Sequence, residues 1–125
     1  MPFHERRRTE RHTVERCTAL VRRRRLFLFW ERRPNRARVV DLSAQGVGFY
    51  AKRALRPGNV IRVAFDMPSD VYAVPPGVEI TAEVRWVNPS QDEPGSFRVG
   101  CAFRLLTPEQ QDLITGIIQS GDRQR

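Results

Sequence analysis

From Val78 to Trp86 the chain alternates without a break: Val78, Ile80, Ala82, Val84 and Trp86 are apolar, while Glu79, Thr81, Glu83 and Arg85 are polar or charged. Side chains on an extended strand point to opposite faces in turn, so this pattern demands a strand with one buried face. The alternation returns in Ile61, Val63, Phe65 and Met67, set against Arg62, Ala64 and Asp66. It returns again in Phe97, Val99, Cys101 and Phe103, set against Arg98, Gly100 and Arg104. Ala37–Val40 and Val47–Tyr50 have the β-branched character of strands. Corners fall at Leu55–Asn59, at Pro75-Pro76-Gly77 and in the polar loop 88–95. After Phe103 the period changes. Thr107 can cap a helix, Pro108 suits its first position and Gln110 can complete a capping box. Leu113, Ile114, Ile117 and Ile118 share one helical face, and Gly121 suits a stop. Short antiparallel strands with one terminal helix imply a closed or nearly closed all-β barrel, its helix covering an end or a side.

The beginning of the chain is less regular. Residues 1–12 are polar and charged without apolar periodicity, and they read as a flexible, arginine-rich arm. Val14 and the set Cys17, Ala19, Val21 have opposite parity, which predicts a bulge or bend between them. Arg22–Arg25 reads as a solvated hairpin edge. The expected layout is an arm over 1–12, a barrel with its helix over 13–119, and a tail over 120–125.

With 125 residues the chain suits one domain with one sizeable core. Its net charge is +8, and the charge is unevenly placed. Residues 1–38 carry 13 Arg against Glu5, Glu10, Glu15 and Glu31, whereas residues 39–125 are close to neutral. That asymmetry points to an anionic partner. Cys17 and Cys101 lack metal-ligand spacing; reduced, partly buried thiols are the expected state, and spacing alone leaves a disulfide open. No apolar h-region follows the first arginines, and Leu26-Phe27-Leu28-Phe29-Trp30 is too short to span a bilayer. A cytoplasmic protein is expected.

Between two strand-like runs stands Asp41-Leu42-Ser43-Ala44-Gln45-Gly46. Asp, Ser and Gly are ordinary turn residues, so a plain hairpin corner accounts for it. Alternation would put Asp41 and Ser43 on one solvent-facing side, and Gly46 would supply a positive φ or room for close approach. Upstream, Arg7 and Arg11 are spaced as RxxxR. RxxxR in a basic arm, followed some thirty residues later by DxSxxG, resembles the PilZ domain family of bacteria. The likeness extends through Leu55-Arg56-Pro57-Gly58, the strand Phe97–Phe103 and the helix start Thr107-Pro108-Glu109, covering roughly residues 5–119.

The resemblance implies a six-stranded antiparallel barrel with a carboxy-terminal helix, and cyclic di-GMP as ligand. Carried over by residue, Arg7 and Arg11 take guanine and phosphate contacts, which a planar guanidinium fork suits. Asp41 accepts from guanine N–H groups, Ser43 offers a hydroxyl, and Gly46 clears the backbone. Arg6, just before RxxxR, implies two nucleotides per chain as an intercalated dimer. The arm would order over the ligand and present a new surface to a downstream protein.

Other classes stay in view: a PilZ-like interaction module that binds no nucleotide, or a basic arm binding nucleic acid or anionic lipid without specificity. Catalysis finds no sequence support. His4 and His12 lack partners at ligand spacing, and HExxH, GxSxG and phosphate-cradling GxxxxGK[ST] motifs are absent. No cofactor or metal is expected.

Overall fold

The computed structural model describes residues 11–26 and 29–123. The expected ligand contacts Arg6 and Arg7 lie outside the described residues. Among the described residues, eight strands and one helix follow in order. They are β1 (His12–Thr13), β2 (Thr18–Leu26), β3 (Phe29–Trp30), β4 (Asn35–Leu42), β5 (Gly46–Ala51), β6 (Val60–Asp66), β7 (Ile80–Pro89), β8 (Phe97–Phe103) and α1 (Pro108–Arg123).

Six strands close a barrel in the cyclic order β2-β4-β5-β8-β7-β6, every neighbour antiparallel. The closing seam is β2 on β4, from Thr18↔Arg38 to Val21↔Asn35. The two short strands extend its ends: β1 pairs with β4 at Leu42 and Asp41, and β3 pairs with β2 near Arg24 and Leu26. The expected break after Val14 is present. Glu15 and Arg16 bend the chain, Arg16 with φ 60°, so that Val14 and Cys17 are both buried against β4.

Inward positions follow the period-2 reading. Val63, Ile80, Val84, Phe49 and Val99 are fully buried, each contributing about 1.5–3 kcal/mol relative to exposure. From α1, Leu113, Ile114 and Ile117 join the same core. The helix begins with the expected reciprocal cap: Gln110 N–H donates to Thr107 Oγ1, and Thr107 N–H donates to Gln110 Oε1. Gln110 Nε2 also donates to the Glu79 carbonyl, tying the first turn to the start of β7. At its other end the helix runs through Gly121 to Arg123. A single glycine only lowers helix propensity by about 1 kcal/mol, which the packed face upstream offsets.

Arg22–Arg25 differs from the expected solvated edge. Arg22 and Arg23 lie in a strand paired with β6, and Arg22 grips Glu79 with a two-nitrogen fork at 2.5–3.0 Å. Only Arg24 and Arg25 stand exposed.

Candidate functional site

The turn between β4 and β5 is built around Ser43. Its Oγ accepts from the N–H groups of Gln45 and Gly46, both at 3.2 Å, and its own N–H donates to the Gly46 carbonyl. Ser43 is completely buried. The expected solvent-facing hydroxyl is therefore a turn clamp, because the chain leaves extended geometry after Leu42 and the alternation from Asp41 stops there. Gly46 does not have the positive φ expected of it; among the described glycines only Gly58, Gly77 and Gly95 do. A Cβ on Gly46 would lie 2.2 Å from the Cys101 carbonyl oxygen. What it clears is the neighbouring strand.

Asp41 is placed by a bulge. The β4–β5 register shifts between Val39 and Asp41, so Leu42 is turned into the core while Asp41 keeps its carboxylate on the outer face. There it is held by two arginines. Arg11 Nη1 lies 2.6 Å from Oδ1, and Arg98 Nη2 from β8 lies 2.5 Å from Oδ2. RxxxR and DxSxxG are thus joined in space at Arg11 and Asp41.

The registers set Asp41, Gly48, Gly100 and Trp86 in one transverse row across β4, β5, β8 and β7. Both middle positions need glycine. A Cβ on Gly48 would stand 2.4 Å from Arg98 Nη1 and 2.6 Å from Asp41 Oδ1, while one on Gly100 would strike the Trp86 indole at 2.2 Å. The bare floor lets Arg98 cross to Asp41 and lets Trp86 lie down over β8. Arg98 also stands 5.5 Å from the Trp86 ring and 5.6 Å from the Tyr50 ring, within cation–π range. Its Nη1 is buried and has no acceptor among the described residues.

Beside this row opens a cavity of about 360 Å³ whose walls include Arg11, Gln45, Gly46, Arg85, Trp86 and Ala102. It offers two guanidinium groups, one aromatic face and glycine-lined backbone, a set suited to an anionic ligand with planar rings. Of the residues expected from sequence, Arg11, Ser43 and Gly46 border it directly, and Asp41 reaches it through Arg11. Sequence reasoning missed Arg98, Trp86, Arg85, Gly48 and Gly100. Glycine at an outward strand position, as at Gly48 and Gly100, was the available signal of a close approach.

Among the described residues no group of three His, Cys, Asp or Glu could hold a metal, and no helix is long and apolar enough to cross a membrane. Cys17 and Cys101 are free and buried, and burial pushes both thiols up to about 12. Both stay protonated and unreactive at neutral pH.

A sequence profile described as the PilZ domain matches residues 5–120. A search of curated proteins finds no match. Among solved structures, the chain is similar to the PilZ domain with c-di-GMP of YcgR from Escherichia coli, at 18% identity and TM-score 0.60, covering 95% of this chain and 93% of that one. It is also similar to MrkH, described as a c-di-GMP-dependent transcription regulatory factor, at 16% identity and TM-score 0.58, covering 94% of this chain and 52% of that one. The K. pneumonia MrkH–c-di-GMP complex matches at 15% identity and TM-score 0.56, over 94% and 55%. This chain thus spans about half of MrkH, and at these identities the likeness is one of fold.

Proposed function

We propose, from the premise that this chain belongs to the PilZ domain family, that it is a cytoplasmic receptor for cyclic di-GMP and acts as an adaptor rather than an enzyme. The observation that carries the reading is the Arg11–Asp41 contact, which brings the two halves of the family pattern together at one cavity mouth. Cyclic di-GMP presents two phosphates and two guanines. Arg7 and Arg11 supply forks for phosphate and for guanine O6 and N7. A carboxylate has room for about four hydrogen bonds, so Asp41 can accept guanine N–H groups while keeping one arginine. Trp86 offers the stacking face, and Arg98 Nη1 supplies a donor already withdrawn from water. Ser43 serves by shaping the turn, and Gly46 by keeping β5 against β8.

In its finer form the proposal includes closure of the arm over the ligand, with Arg6 supporting a second, stacked nucleotide. The ordered arm then forms the surface that a downstream protein reads. Isothermal titration calorimetry with cyclic di-GMP tests the assignment and counts the ligands. Saturable binding at moderate salt supports it. No heat and no binding would leave a PilZ-fold interaction module, and equal binding to any polyanion, collapsing with salt, would leave a basic arm.

A further inference from the structure

The hairpin of β2 and β3 projects apolar side chains that the barrel does not use. Leu26 pairs with Phe29 at its outer end, and the two are 65% and 71% exposed. One pair further back stand Arg24 and Trp30, and Arg25, Arg32 and Arg33 flank them. Arg24, Arg25, Arg32 and Arg33 are exposed and have no carboxylate partner among the described residues. The nearby acid, Glu31, is turned inward and held by Arg53 at 2.5 Å and by Arg23, so it does not offset them. An open cleft of about 740 Å³ is lined by Arg25, Arg32 and Arg33 together with Leu26, Phe29 and Trp30.

The geometry points to a membrane-docking tip: Leu26 and Phe29 enter the acyl boundary of an anionic bilayer while Arg24, Arg25, Arg32 and Arg33 hold its phosphate headgroups. The layering favours lipid. Residues along a strand are about 3.3 Å apart, so Arg24 and Arg25 sit one or two positions behind Leu26, while Arg32 and Arg33 follow Phe29 by three and four positions, just past the end of β3. That matches the roughly 5–10 Å depth to which interfacial segments sink. A nucleic acid would use the cations but leave the leading Leu26 and Phe29 in water. Asn35, at the hairpin end of β4, and Asp41, at the cavity end, are separated by about 20 Å of extended strand. The tip is therefore independent of the nucleotide site, and both can be occupied at once.

The test uses the full chain with vesicles of phosphatidylcholine alone or with one quarter phosphatidylglycerol, some carrying brominated acyl chains. The chain has two tryptophans, Trp30 at the tip and Trp86 at the cavity, which makes quenching site-specific. Expected are sedimentation only with the anionic vesicles and bromine quenching that persists in Trp86→Phe but vanishes in Trp30→Phe. Leu26→Ser with Phe29→Ser, and separately Arg32→Glu with Arg33→Glu, should each weaken binding about tenfold or more. Both pairs are exposed, and circular dichroism verifies their fold. Failure to bind anionic vesicles, or binding that both double variants leave intact, overturns the proposal. So does quenching of Trp86 alone, or tighter binding to an oligonucleotide that the apolar pair does not affect.

Discussion

Arg98 on β8 donates from Nη2 to Asp41 Oδ2 at 2.5 Å, so a strand distant in sequence fixes the carboxylate one residue before the end of β4. The Arg98 side chain is 22% exposed and that of Asp41 18%, which lifts the pair above an ordinary surface bridge. Asp41→Ala strands a half-buried guanidinium, at a cost on the order of 1–3 kcal/mol. The barrel should still fold with its melting temperature lowered by several degrees, and nucleotide binding should weaken at least tenfold. A circular dichroism melt beside the titration decides this; an unfolded Asp41→Ala would assign the residue to the turn alone.

Arg11 and Arg24 carry the same charge in different places, one on Asp41 and one exposed beside the hairpin. Arg11→Ala should remove charged hydrogen bonds worth about 1.5–3 kcal/mol, on the order of ten- to hundredfold in dissociation constant. Arg24→Ala should change it little. Equal losses in calorimetry would mean that only bulk charge matters.

The two cavity glycines should fail differently. Gly46→Ala drives a Cβ into the Cys101 carbonyl, a backbone atom that cannot yield, so chemical denaturation should show a loss of more than about 2 kcal/mol. In Gly100→Ala the obstacle is the Trp86 side chain, 38% exposed and able to swing out. There the melt should change little while nucleotide affinity falls.

Glu31 is lowered from its ordinary 4.5 to about 2, first by the hydrogen bond from Arg53 and then by Arg23. The unfolded chain thus binds this proton more readily than the folded one. The stabilisation is present above pH 4.5 and is lost as pH falls toward 2. Glu31→Gln should flatten the fall in melting temperature across that window and lower stability at neutral pH.

Arg6 addresses ligand count. Two stacked nucleotides crowd four phosphates together, and one more guanidinium offsets their repulsion. Calorimetry should give two ligands per chain, shifting toward one in Arg6→Leu. One ligand in the unchanged protein would remove the stacked pair and keep the receptor.

The strands and helix were legible because their signals are local. Alternation from Val78 to Trp86 needs only its own residues, and the Thr107–Gln110 cap is contained in one turn. RxxxR and DxSxxG located one half of the candidate site. The other half depends on register. Whether Gly48 stands opposite Gly100, or Trp86 beyond it, is decided by a bulge at Val39–Asp41 and another near Val84–Trp86. Each bulge shifts the partners by one residue, which no strand carries as a signal of its own. Ser43 was misplaced for a related reason, since side-chain parity holds only while the chain stays extended.

The seam along β4 is shared by two separate stretches of chain, β2 and β1, with the bend at Arg16 between them. Each stretch therefore has its own free energy of opening. Among the described residues β1 pairs at His12↔Leu42 and Thr13↔Asp41, a shorter stretch than the four pairs of β2 on β4, so it can open while β2 keeps the barrel closed. Amide hydrogens there should exchange by local opening, and those of Thr18–Val21 only by global unfolding. Because Arg11 immediately precedes β1, a ligand that holds its guanidinium suppresses the local opening alone. Occupancy would then be written as slowed exchange over two residues, with the rest of the barrel unchanged.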